Sequence, residues 1–119
     1  MRVVTLQFES KPEAPSVSRS RLAQMRSVLE PRYDDVVLLV SELLTNSVRH
    51  SVSEGIDVTI KASEAKVRVE VTDEGPGFTP HEPRGDGWGL AIVEKVADRW
   101  GMKEGDKFTV WAEISKNPA

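Results

Sequence analysis

The stretch "VSELLTNSVRHS", residues 40–51, decides the reading of this chain. It sits in a longer segment in which Val36, Val37, Leu38, Leu39, Val40, Leu43, Leu44 and Val48 are apolar nearly all round a helix. Glu42 and Asn46 interrupt that segment one helical turn apart, and Arg49 continues their stripe. An unpaired buried carboxylate costs several kcal/mol or takes up a proton. Glu42 therefore either has a partner or faces a wet cavity. The plainest expectation is that Glu42 pairs with Arg49 or Arg26, and that Asn46 bonds to backbone.

Working outward, Asp34 is expected to cap this helix and Asp35 to sit in its first turn, with the helix running to about Ser51. An earlier helix spans about Ser16–Leu29, with Val17, Leu22, Met25, Val28 and Leu29 at roughly helical spacing, and Pro31 ends it. Before it, "RVVTLQF" has strand character and "ESKPEAPS" reads as a linker. After the central helix, "GIDVTIKA" and "AKVRVEVTD" alternate in strand fashion, and the short "SEAK" between them makes a hairpin. Next, "EGPGFTPHEPRGDGWG" carries five glycines and three prolines in sixteen residues and reads as a long loop. A third helix is expected over about Leu90–Arg99, with Leu90, Val93, Val96, Ala97 and Trp100 on one side. A last strand covers about Phe108–Ile114. The order is β-α-α-β-β-loop-α-β, in one domain, 1–119. It implies a two-layer α/β (α+β) sandwich with helices on one face of a mostly antiparallel, mixed sheet.

Composition narrows the function classes. Hydrophobic residues are 39% and charged residues 29%, ordinary for a soluble globular domain. A formal net charge of −3 offers no basic field for nucleic acid. The chain has no cysteine, so disulfides and thiolate metal sites are excluded, and His50 and His81 alone make a poor metal set. No apolar run reaches the roughly 18–20 residues of a membrane span, and the N-terminus lacks signal-peptide form, so a cytoplasmic protein is the expectation.

Two further segments bear on Glu42 and Asn46. Val67, Val69 and Val71 share a strand parity that Asp73 continues. If the valines face the helices, Asp73 points inward too; a turn that uses Asp73 as its Asx residue is the alternative. Gly75 and Gly77 follow, where a backbone can bend tightly and a planar group can approach closely. Gly85, Gly87 and Gly89 precede the third helix, an arrangement that leaves amides free for an anion. "GDGWGL" is neither a Walker motif nor a dinucleotide fingerprint.

Taken in order, "ELLTNSVRH", "DEGPGF" and "GWGLAIV" resemble the N-box and two glycine boxes of the GHKL ATP-binding fold. "VSELLTNSVRH", "VTDEGPGF", "GLAIVEKVADRWG" and "TVWAEI" resemble its anti-sigma factor serine/threonine kinase family, over about residues 16–114. The resemblance implies ATP and Mg²⁺ as ligands. It implies that Asn46 chelates the metal, that Glu42 is the general base, and that Asp73 accepts a hydrogen bond from the adenine amino group. Gly75 and Gly77 would floor the base pocket. Phe78 would lie beside it or pack in the core. Residues 79–88 would form a lid, with Gly87, Gly89 and the start of the helix at Leu90 near the phosphates. Arg84 is a candidate γ-phosphate contact, and Thr109 resembles a threonine that joins Asp73 through water. Arg49 and His50 read as structural. Arg19, Arg21 and Arg26 fall where the family meets a sigma factor or a partner subunit. The implied partners are a sigma factor, an anti-anti-sigma protein as substrate, and a second copy in a homodimer. An ATP-binding module without kinase activity, an excised histidine-kinase catalytic domain and a ligand-free structural domain are the competing readings.

Overall fold

A computed structural model describes residues 1–50, 53–75 and 90–117. Five strands, β1 (Arg2–Glu9), β2 (Gly55–Ala62), β3 (Lys66–Asp73), β4 (Arg99–Glu104) and β5 (Phe108–Ser115), form one sheet in the order β1-β2-β3-β5-β4. Every neighbouring pair is antiparallel, so the expected mixed sheet contains no parallel pair among the described residues. Helices α1 (Ala14–Leu22), α2 (Arg26–Leu29), α3 (Tyr33–His50) and α4 (Leu90–Val96) complete the two-layer α/β architecture.

Alternation in β2 and β3 decides which face is buried. In both strands every second residue is buried, giving Ile56, Val58, Ile60 and Ala62 on β2 and Val67, Val69, Val71 and Asp73 on β3. Phe108, Val110, Ala112 and Ile114 of β5 join them. Against this face α3 packs Val36, Leu39, Val40, Leu43 and Leu44. Burying side chains of this size stabilises the fold by about 1.5–3 kcal/mol each.

The helices differ from expectation at their ends. The first begins at Ala14, with Pro15 in its first turn, where a missing N–H costs nothing. It tightens into a 3₁₀ turn at Ala23–Met25 before α2. Val17 is 46% exposed rather than buried, because Ala14, Ser18 and Leu22 carry the inward stripe. The long helix starts at Tyr33, so Asp34 lies inside its first turn beside Asp35 instead of capping it. Both carboxylates still oppose the positive end of the dipole, and Arg49 and His50 occupy the last turn.

The largest departure is a fifth strand. The third helix stops at Val96, and Arg99–Glu104 forms β4 as the outer partner of β5. Trp100 and Met102 pack on the core from this strand, not from a helix. The chain turns at Asp98, whose N–H donates to the Glu113 carbonyl at 2.8 Å. Its carboxylate accepts from the Ser115 N–H at 2.6 Å. Gly101 is required where β4 passes Trp111: a Cβ there would lie 2.9 Å from the indole Cζ2.

On the open face of the sheet, Arg68 stacks over Trp111 at 4.3 Å and pairs with Glu70 at 2.7 Å and Glu113 at 2.9 Å. Lys66 and Arg99 approach Glu113 at 3.5 and 3.6 Å. The hydrogen bond from Arg68 holds the Glu113 carboxyl below the usual carboxylate range. A depressed folded value stabilises the fold above the unfolded value and loses that contribution as pH falls through the folded one. Replacing Glu113 with Gln should therefore flatten the decline in urea midpoint below about pH 4.3. An unchanged acid limb would show that the network adds nothing to stability.

Candidate functional site

Near the C-terminal end of α3, Leu43, Asn46, Ser47 and His50 face Val71 and Asp73 of β3 and Phe108 and Val110 of β5 across a small cavity. The helix delivers Asn46 and Ser47 because 36, 40, 43 and 47 follow one inward stripe, with 46 beside it. The strand delivers Asp73 because it continues the parity of Val67, Val69 and Val71.

Asp73 is 5% exposed. Its Oδ1 accepts the Gly75 N–H at 2.7 Å, and its Oδ2 accepts the Ser47 hydroxyl. The inward carboxylate and the Asx turn, alternatives in the sequence, are thus realised together. Gly75 has φ of 82°, the left-handed region that favours glycine. The Ser53 hydroxyl accepts the Glu74 N–H, holding the end of β3 from a second side.

Asn46 is 1% exposed, and neither its Oδ1 nor its Nδ2 has a hydrogen-bond partner among the described residues. The expected bond to backbone is absent from that set. Leaving a buried amide unsatisfied costs about 1–3 kcal/mol. Such a group offers a donor and an acceptor to a water or ligand in the cavity it lines. An amide oxygen is a hard ligand that suits Mg²⁺, which commonly takes one or two protein ligands and fills the rest with phosphates and water. The residues present therefore fit that ion when phosphates accompany it.

Glu42 is half-buried and does not line the cavity. It lies one turn before Asn46 on α3, about 6 Å along the axis. Among the described residues no ion pair reaches it, which corrects the expected pairing with Arg49 or Arg26. Arg26 instead lies 3.7 Å from Glu30 and over the Tyr33 ring at 4.5 Å. Arg49 is exposed.

Thr109 is not brought to the site. It faces the open side of the sheet, where its hydroxyl meets that of Thr72 at 2.8 Å. Asp73 pairs in register with Phe108, so the next residue of β5 necessarily points to the other face. Gly77, Phe78, Arg84, Gly87 and Gly89 lie outside the described residues, as do His81 and the expected lid at 79–88. Leu90 opens α4. The cavity itself measures about 10 Å³, room for roughly one water. A purine needs more space, and the expected lid at 79–88 and floor residue Gly77 lie outside the described residues.

Sequence reasoning missed Ser47 and Ser53. Ser47 carried a signal: a hydroxyl at a position of the apolar stripe needs a partner. Ser53 lies in a connection with no periodicity and gave none.

A family model of the histidine kinase-like ATPase domain matches residues 8–113. Serine-protein kinase RsbW of Listeria innocua serovar 6a is 31% identical over 118 aligned positions, covering 80% of this chain and 75% of that protein. The anti-sigma F factor of Clostridium acetobutylicum is 38% identical over 79 positions, covering 61% of this chain and 55% of that protein. Among solved structures, that of the RsbU and RsbW domains of Rv1364c from Mycobacterium tuberculosis superposes with a TM-score of 0.73 at 22% identity. It covers 100% of this chain, which spans 34% of that longer one. The Acinetobacter baumannii histidine kinase AdeS gives 0.59 at 15% identity, over 99% of this chain and 70% of that one.

An unpartnered buried amide predicts an unusual stability effect. In the absence of nucleotide, Asn46→Ala should cost less than about 1 kcal/mol in urea unfolding, since no hydrogen bond is lost. The same substitution should abolish magnesium-dependent nucleotide binding. A loss above about 2 kcal/mol would mean that the amide is bonded in the folded state.

Proposed function

The chain belongs to the histidine kinase-like ATPase domain family, on the branch of the anti-sigma factor serine kinases, and from that premise we propose that it binds ATP and transfers its γ-phosphoryl group to a serine or threonine of a partner protein. The observation that carries this reading is the pair formed by Asn46 and Asp73. One presents two unpartnered amide atoms, the other a buried carboxylate, to the same cavity.

Each residue has a chemical task. Asp73 accepts a hydrogen bond from the 6-amino group of adenine, and Gly75 and Gly77 would shape the floor beneath the base. Asn46 Oδ1 ligates Mg²⁺, which when bound neutralises phosphate charge. On this reading Gly87, Gly89 and the start of α4 at Leu90 would offer amides to the phosphates, and Arg84 would contact the γ-phosphate. Positioning and charge neutralisation carry most of phosphoryl-transfer catalysis. Glu42 takes the hydroxyl proton as the acceptor oxygen attacks phosphorus and the bond to ADP breaks. A carboxylate one helical turn from Asn46 favours a kinase over a module that only binds ATP, which has little need of a base beside the γ-phosphate.

The relatives named as anti-sigma F factors and serine-protein kinases support the choice of partners. The acceptor is an anti-anti-sigma protein, and a sigma factor is sequestered in competition with it. The working form is a homodimer in the cytoplasm; no helix among the described residues is long and apolar enough to cross a membrane. The arginines of α1 and α2 contribute to the partner surface.

Incubation with radiolabelled ATP, Mg²⁺ and candidate anti-anti-sigma proteins tests the proposal. Glu42→Ala should lower transfer by about 10²-fold or more while ATP affinity stays within about twofold. Transfer by Glu42→Ala at the wild-type rate would remove it as the base. No label on any partner, with ATP still bound, would leave an ATP-dependent binding module as the function.

A further inference from the structure

Asp73 cannot recognise an amino group unless its carboxylate is held in one orientation, and two protein donors hold it. The Gly75 N–H belongs to the same turn, two residues on, and moves with Asp73. The Ser47 hydroxyl comes from α3, the element that carries Asn46 as its neighbouring residue. The terminal torsion of an Asp side chain is broad when left to itself. With one donor on each oxygen it is fixed, and the fixing that relates the carboxylate to the rest of the site comes from the helix.

We propose that Ser47 is a positioning and specificity residue: its hydroxyl aims Asp73 at the 6-amino group of a purine and discriminates against purines that lack that donor. The proposal rests on the reading of Asp73 as the adenine acceptor.

Hydrogen-bond accounting supports it. A carboxylate has about four acceptor positions, and two of Asp73's are occupied by Gly75 and Ser47. The remaining acceptor capacity lies beside the cavity that Asp73 lines. A serine hydroxyl has one proton, and Ser47 commits it to Asp73. It therefore has no proton left for the 6-keto oxygen of guanine or hypoxanthine, and the Asp73 carboxylate beside it is an acceptor too. A 6-amino group meets the pattern that suits it. The bond also ties the base-recognising carboxylate to the residue next to Asn46. Base recognition and phosphate binding thus share one rigid helix, and a shift of either would be felt by the other.

The test measures binding of three magnesium nucleotides by calorimetry: ATP, the triphosphate of purine riboside, which lacks the 6-amino group, and ITP, which has a 6-keto group. The proteins are wild type, Ser47→Ala, Ser47→Thr and Asp73→Asn. Ser47→Ala should weaken ATP about tenfold, the scale of one hydrogen bond to a charged group. It should leave the purine riboside analogue unchanged and narrow the gap between ATP and ITP. Ser47→Thr, which keeps the hydroxyl, should restore ATP binding. Equal weakening of ATP and the analogue, or no weakening of ATP, overturns the role of Ser47. If Asp73→Asn keeps the wild-type ratio of ATP to analogue, the base contact itself is wrong and both readings fall. If Asp73→Asn changes that ratio and Ser47→Ala does not, only the role of Ser47 falls. Should Ser47→Ala not fold, Ser47→Cys, close in size but a weak donor, is read by the same criteria.

Discussion

A buried carboxylate at the junction of α3 and β3 is the constraint on which the rest of the site depends. Asp73 lies at the end of a strand whose other inward residues are valines, in surroundings where an unsatisfied anion would be costly. It is tolerated because a helix hydroxyl and a backbone N–H each satisfy one oxygen. Those bonds fix more than a side chain. The Ser47 bond joins the last turn of the central helix to the last residue of a central strand.

Asn46 stands in contrast. It is as deeply buried, yet no bond among the described residues satisfies its amide. A fold selected for stability alone would fill this position with a side chain that has nothing to satisfy, as it does at Leu43 and Leu44. Natural chains accept such a penalty where function needs a poised group, and make up for it elsewhere. Here the offset is a core that runs unbroken through β2, β3 and β5. The open face of the sheet adds the ion-pair and stacking network around Trp111. The two faces have separate duties: one supports a cavity, the other consolidates the sheet that supports it.

The fold was largely legible because strict alternation leaves little freedom. Strands β2 and β3 could bury their isoleucines and valines in only one register, and the apolar girdle of α3 required a partner layer. The β4 strand was not legible. "VADRWG" continues a helical period closely enough that Trp100 fits either element, and the choice was made by the unpaired edge of β5. The site divided along the same line. Glu42, Asn46 and Asp73 stood out as polar residues on apolar stripes, and two of the three meet across one cavity. Thr109 misled because resemblance of type and order does not carry strand parity, and one residue along β5 is the opposite face of the sheet.

By itself the sequence determined the class of fold, the strand parity that Asp73 shares with the valines and the presence of polar groups inside an apolar helix, because periodicity and residue type are properties of the chain read locally. Only the tertiary structure decided which of those groups have partners. That Ser47 and Gly75 satisfy Asp73, that Asn46 goes unsatisfied among the described residues, and that Arg26 turns to Glu30 and Tyr33 rather than to Glu42, are matters of distance between elements far apart in sequence. Hydrogen bonds and ion pairs act over about 3–4 Å, and no local pattern encodes a separation of that size.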